Sequence, residues 1–107
     1  MSQSISSIEL LGDVDNPYIH VVFCLSWQQE DIDELSAHVI SLFDDAATID
    51  HAQGADIETY HIRAFDTELL LNFEVYSESC WVEVVNNQDI TSLVKISEKI
   101  KSKISEK

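Results

Sequence analysis

The sequence predicts an α+β protein in which five strands form one mainly antiparallel sheet and two helices pack on the same face of it. Apolar runs rich in β-branched residues recur between polar segments, which is typical of strands. Two other segments repeat apolar residues every three or four positions, which is typical of amphipathic helices. Most links are too short for parallel crossovers. The 107 residues have the usual size of one domain, so we expect residues 1–107 to form a single globular domain.

The predicted order of elements is ββαβββα. Strands are expected at residues 5–11, 18–25, 57–65, 68–76 and 80–85. A turn that contains Gly12 and Pro17 separates the first two strands, and the third and fourth form a hairpin about Asp66 and Thr67. Residues 44–56 are predicted to form a loop.

Both helices show favourable charges at their ends. The first is predicted over residues 28–45, where Ile32, Leu35 and Val39 begin an apolar stripe and acidic residues crowd the first turns. The second begins after Asn87 or Asp89, and its lysines lie near its carboxyl-terminal end. We expect the apolar stripes of both helices to face the sheet.

The net charge of −14 is unevenly distributed along the chain. Residues 1–94 contain 18 carboxylates and one basic side chain, Arg63, whereas residues 95–107 contain five lysines and two glutamates. A body this acidic repels nucleic acid and anionic membranes and favours a basic protein partner. Such charge also supports solubility, or adaptation to a salty cytoplasm. The charge therefore excludes direct nucleic-acid binding without identifying a partner.

The composition predicts a cytoplasmic protein. No segment approaches the roughly 18 apolar residues that span a bilayer, and residues 1–5 lack the features of a signal peptide. Cys24 and Cys80 each lie inside an apolar run, so both are predicted to be buried free thiols.

Strand alternation assigns side chains to the two faces of the sheet. The predicted inward positions on the second, third and fourth strands are Ile19, Val21, Phe23, Leu25, Tyr60, Ile62, Ala64, Leu69, Leu71, Phe73 and Val75. The facing of the fifth strand is ambiguous: if Cys80, Val82 and Val84 point inward, Trp81 and Glu83 point outward. The candidate binding residues on the predicted open face are His20, His61, Arg63, Glu74, Tyr76, Trp81 and Glu83. Arg63 and Glu74 would form a cross-strand ion pair. Because Trp, Tyr and Arg are enriched at interface hot spots, this face is predicted to bind a partner or a second copy in a two-fold homodimer. The alternative is a solvated sheet face.

We expect no metal and no cofactor. His20 and Cys24 would lie roughly 13 Å apart on one strand, too far to share a zinc ion. The segment that starts at Asp13 begins like a calcium loop, but Pro17 occupies a position that needs an oxygen ligand. Two glycines in the whole chain leave no familiar phosphate-binding loop.

The sequence contains only weak indications of an enzyme. A thiol within an apolar strand is a poor nucleophile, which disfavours either cysteine. An Asp50–His51 dyad in the 44–56 loop is one catalytic arrangement, and a solvated loop is the stronger interpretation.

Three functions remain open. The sequence favours a non-enzymatic intracellular interaction module, with a homodimer as one form. The second is an acidic inhibitor, of the immunity-protein or nucleic-acid-mimic kind, that binds a basic protein. The third is a small enzyme or ligand binder whose pocket is the open sheet face or the 44–56 loop.

Overall fold

A computed structural model describes residues 5–105 as one six-stranded antiparallel sheet with two helices. The strands are β1 (Ile5–Gly12), β2 (Pro17–Phe23), β3 (Ala47–Gln53), β4 (Ile57–Ala64), β5 (Thr67–Glu74) and β6 (Ser79–Val84). The helices are α1 (Ile32–Ile40) and α2 (Ile90–Ser105), each preceded by a 3₁₀ turn. The order across the sheet is β1-β2-β6-β5-β4-β3. The predicted α+β fold is confirmed, with six strands instead of five. Lys107, part of the predicted basic end, lies outside the described residues.

The additional strand is β3, which lies in the segment that was expected to form a loop. It pairs with β4, from Ala47 opposite Arg63 to Gln53 opposite Glu58, and forms one edge of the sheet. All seven of its residues are exposed. Its apolar–polar alternation covers only Ala47 to Asp50 and is interrupted by a register shift between Thr48 and Asp50, so it is too short to indicate a half-buried strand. Backbone pairing with β4, rather than burial of side chains, holds it in the sheet.

The inner face of the sheet and the two helices enclose one apolar core. Ile19, Ile62 and Leu71 are fully buried from the sheet side, and Leu35 and Leu93 are fully buried from the two helices. The predicted inward positions are confirmed, with one exception. Leu25 is 68% exposed, because β2 ends at Phe23 and the alternation does not continue past it.

The two helices cover different parts of the sheet. α2 lies against β1 and β2, whereas α1 lies beside β4, where the Tyr60 hydroxyl is within 3.3 Å of Asp33 Oδ1. An aromatic cluster lies in the core, where the rings of Phe23, Trp27 and Tyr60 pack around Phe73. Both helices therefore lie on one face of the sheet.

The first helix is shorter than its apolar stripe predicts. α1 ends at Ile40, and two tighter turns follow, in which Leu42 and Phe43 donate to carbonyls three residues back. These turns keep both side chains buried. Asp45 then adopts a left-handed backbone conformation, with φ of 55°, and redirects the chain into β3. Neither described helix is long and apolar enough to cross a membrane.

Candidate functional site

The open face is the side of the sheet opposite the helices, and strand register decides which of its side chains are neighbours. His20 on β2 lies opposite Trp81 on β6, and Asn72 on β5 lies opposite the other side of Trp81. Within residues 5–105, both helices pack on the other face. The open face includes the side chains of Glu9, Tyr18, His20, Val22, Asp50, Thr59, His61, Arg63, Glu68, Leu70, Asn72, Glu74, Trp81 and Glu83.

A continuous hydrogen-bonded network occupies the centre of the open face. Thr59 Oγ1 donates to Asn72 Oδ1 at 2.8 Å, and Asn72 Nδ2 donates to Glu83 Oε2 at 2.9 Å. Trp81 Nε1 donates to the same Glu83 oxygen at 3.0 Å. Asn72 is 5% exposed although no described helix covers it, because its neighbours on the sheet enclose it. The network fixes the orientation of Trp81 and Glu83, which the sequence selected as candidate binding residues.

A shallow hollow beside this network brings three of the predicted residues together. Tyr18, His20, Glu74 and Trp81 line a depression of about 370 Å³. The Glu74 carboxylate accepts hydrogen bonds from the hydroxyl and backbone N–H of Ser77, and these bonds lower the pKa of Glu74. Glu74 therefore carries its negative charge at the rim of the hollow across the neutral pH range.

The remaining predicted residues lie away from this hollow. His61 Nε2 is 2.8 Å from Glu68 Oε1 on the neighbouring strand. Arg63 lies opposite Glu68, whereas Glu74 lies opposite Ile57 at the far end of the same strand pair. The predicted Arg63–Glu74 ion pair is therefore wrong: a hairpin that turns at residues 65 and 66 separates these two residues along the strands.

Tyr76 also departs from its predicted place on the sheet face. β5 ends at Glu74, so Tyr76 lies in the following turn and is 81% exposed. Its backbone N–H donates to the Glu74 carboxylate at 3.1 Å. Tyr76 thus extends into solvent beside the open face and is not one of its strand residues.

A second cluster of polar side chains lies on the covered side of the sheet, at the β3 edge. Glu58 is 5% exposed, and its Oε2 atom lies 2.5 Å from His51 Nε2 and 3.1 Å from the Tyr60 hydroxyl. The rings of His51 and Tyr60 stack with centroids 4.1 Å apart. Burial, together with the nearby carboxylates of Glu58 and Asp33, raises the pKa of Tyr60 to about 12. The hydroxyl therefore stays protonated and can donate to a carboxylate.

This second cluster was not predicted from the sequence. His51 was placed in a solvated loop beside Asp50, but it lies on β3 and its ring contacts Glu58, while the Asp50 carboxylate accepts the backbone N–H of His51. Tyr60 was correctly placed inward and treated as core. The available signal was the position of Glu58. It lies two residues before Tyr60 on the same strand, so its side chain points to the same inner face as those of Tyr60 and Ile62. A glutamate at an inward strand position needs partners.

The two cysteines differ in their surroundings. Cys80 is fully buried on β6, and desolvation raises the pKa of its thiol. Cys24 is exposed, so the prediction that it is buried was wrong: it is in phase with the exposed Val22 and not with the buried Val21 and Phe23. Both are free thiols.

Comparison with known proteins gives a family for the chain but no described activity. Residues 12–98 match the family described as "Protein of unknown function (DUF3630)", and the chain belongs to this family. The match includes the seven predicted binding residues and the His51–Glu58–Tyr60 cluster. Neither a search of curated proteins nor a search of solved structures found a match.

Proposed function

We propose that this DUF3630 protein is a non-enzymatic interaction module whose open face binds a basic protein surface. The observation that carries the proposal is an ordered aromatic centre surrounded by carboxylates. Trp81 is held by Glu83, and Tyr18 lies beside it in the same hollow. Trp and Tyr supply large contact areas and are enriched among residues that dominate binding energy.

The rigidity of the open face supports binding without large rearrangement. Each of Asn72 and Glu83 contacts two other side chains of the network. Side chains that are already fixed lose less conformational entropy when a partner docks. An ordered face that extends across several strands offers the large contact area that a protein surface needs.

The charge of the open face supports a basic partner. Its described strands carry five carboxylates, on Glu9, Asp50, Glu68, Glu74 and Glu83, and one permanent cation, on Arg63. A second copy docked face to face in a homodimer would set carboxylates against carboxylates. A basic partner would be attracted over long range, and salt would slow its association. An inhibitor of a basic, nucleic-acid-binding protein is one specific form of this function.

The proposed setting is the cytoplasm. A free, exposed thiol at Cys24 and a second free thiol at Cys80 suit a reducing compartment. The acidic body would reach its basic partner there by electrostatic attraction, without contacting nucleic acid itself.

Site-specific cross-linking tests which surface binds the partner. Photo-reactive benzoylphenylalanine is placed at Tyr18 on the open face, and in a control protein at Glu98, an exposed position on α2. We expect the Tyr18 position to cross-link a basic protein in host lysate. The purified partner should bind the unmodified chain, and its affinity should fall steeply as salt rises.

Three results would contradict the proposal. Cross-links from the Glu98 position alone would assign binding to another surface. Cross-links from Tyr18 to a second copy of this chain would favour the homodimer. Affinity that does not change with salt would remove the electrostatic basis of the partner's recognition.

A further inference from the structure

A groove between α1 and the edge strand β3 forms a second concave surface, separate from the open face. The groove is broad and open to solvent, and its volume is about 710 Å³. The groove lies over the inner side of β3, whose residues α1 leaves exposed. The residues that line the groove include Asp33, Ile40, Phe43, Asp45, His51 and Tyr60.

The groove is electrostatically suited to a cation. Asp33 and Asp45 line it, and the buried carboxylate of Glu58 lies directly behind His51 and Tyr60. Among the described lining residues there is no lysine or arginine. An anion would therefore be repelled, whereas a cation would find carboxylates without a permanent positive charge beside them.

The hydrogen bonds of Tyr60 point to the same chemistry. Its hydroxyl oxygen lies 3.3 Å from Asp33 Oδ1 and 3.1 Å from Glu58 Oε2. A phenolic hydroxyl has one proton, so it can donate to one of these two carboxylates at a time. Asp33, at the exposed side of the groove, thus retains capacity to accept hydrogen bonds from a ligand.

The rest of the lining exposes more apolar than polar surface, although Ser36, Ser41 and Thr48 add hydroxyl groups, and this mixture suits an organic ligand. Ile40 and Phe43 form one wall of the groove, and the stacked rings of His51 and Tyr60 form another. Within residues 5–105, no group of three or more His, Cys, Asp or Glu side chains could hold a metal ion. The cation that fits must therefore carry its own hydrogen-bond donors and an apolar portion.

We propose that this groove binds a small organic cation, an ammonium or guanidinium group on a short apolar chain. The cationic head hydrogen-bonds to Asp33 near Tyr60, and the apolar chain lies against Ile40 and Phe43. The site does not depend on the open face, so it can stand or fail independently of the proposed interaction function.

Amide NMR with two probe cations tests the proposal directly. Phenethylamine supplies an ammonium and agmatine a guanidinium, and 3-phenylpropionate serves as an anion of similar size. We expect saturable shifts of the amides of Ala37 and His51 with at least one cation at millimolar concentration, and none with the anion. The Asp33→Asn variant should bind on the order of tenfold more weakly, because it loses a charge-assisted hydrogen bond.

A matched variant separates local from general charge effects. Glu98→Gln removes the same charge from an exposed position on α2 and should leave the affinity unchanged. Asp33→Asn keeps an oxygen that can accept the Tyr60 proton, and an unchanged spectrum without ligand would show that it folds. Equal weakening in both variants, equal binding of the anion, or no shifts with either cation would overturn the proposal. A trilysine peptide that binds more tightly than both free cations would assign the groove to protein side chains and would overturn it too.

Discussion

The two faces of the sheet each hold a carboxylate in a hydrogen-bonded cluster, but the clusters have different surroundings. Glu58, on the covered face, is enclosed by His51 and Tyr60 beneath a groove. Glu83, on the open face, accepts bonds from Asn72 and Trp81 on an exposed surface of the sheet. Strand alternation alone therefore separates two polar sites on one sheet, one beside the groove at α1 and one at the centre of the open face.

The largest difference between the faces should appear in stability. Phe73→Ala is expected to lower the free energy of unfolding by about 3–5 kcal/mol, because Phe73 is fully buried in the aromatic core. Val22→Ala, on the open face, should cost less than about 1 kcal/mol. Urea unfolding followed by tryptophan fluorescence measures both values. Similar losses for the two variants would contradict the assignment of the faces.

The two carboxylates themselves should differ by a smaller amount. Glu58→Ala removes the partner of His51 and one acceptor of Tyr60 in a buried setting, so we expect a loss of about 2–4 kcal/mol. Glu83→Ala removes two hydrogen bonds on a half-buried surface and should cost about 1 kcal/mol. The same unfolding experiment compares them. A Glu83→Ala loss that equals or exceeds that of Glu58→Ala would show that the open-face network is a structural element.

Because the pKa of Tyr60 on the covered face is raised, we expect the free energy of unfolding to depend on pH. The unfolded chain releases the Tyr60 proton near its ordinary pKa of about 10, whereas the folded chain retains it until about 12. Between these values the folded state binds more protons, so stability should fall as pH rises through this window. Tyr60→Phe should remove this part of the decline. An identical pH profile for the variant and the parent chain would contradict the prediction.

The smallest effect is expected at the periphery, where α2 meets the turn before β3. Lys103 Nζ lies 2.5 Å from Asp44 Oδ1, and both side chains contact solvent. Lys103→Met should change the free energy of unfolding by less than about 1 kcal/mol, and salt should reduce the effect. A loss as large as that of Glu58→Ala would mean that this ion pair helps to hold the edge strand in place.

The parts of the fold that were predicted from the sequence are the elements with one buried face, because burial of that face requires apolar residues at regular spacing. β5 alternates from Leu69 to Phe73 because its inner side chains are buried, and its strand and facing were predicted correctly. β3 has no sustained alternation of this kind, because every one of its residues is exposed. Its neighbour β4 supplies its backbone hydrogen-bond partners. An exposed edge strand is therefore invisible to a pattern of hydrophobicity.

The same reasoning explains what could be predicted about the two sites. Alternation placed His20 on the open face correctly, but it left the facing of Trp81 and Glu83 ambiguous, and the structure places both on the open face. Alternation also carries no information on register, so the proposed partner of Arg63 was wrong. The groove depends on β3 and on the early end of α1 at Ile40. Apolar periodicity predicts neither feature, so the inward position of Glu58 could indicate a need for partners but could not identify His51 as one.

The most direct test asks whether the partner identified by cross-linking binds the open face and not the groove. Its affinity is measured for two single variants. Trp81→Ala alters the open face, and Asp33→Asn alters the groove, so isothermal titration of each purified variant compares the two sites on one scale. We predict that Trp81→Ala weakens the partner's affinity at least on the order of tenfold, while Asp33→Asn leaves it unchanged. Equal affinity for both variants, or a loss confined to Asp33→Asn, would contradict the assignment of protein binding to the open face.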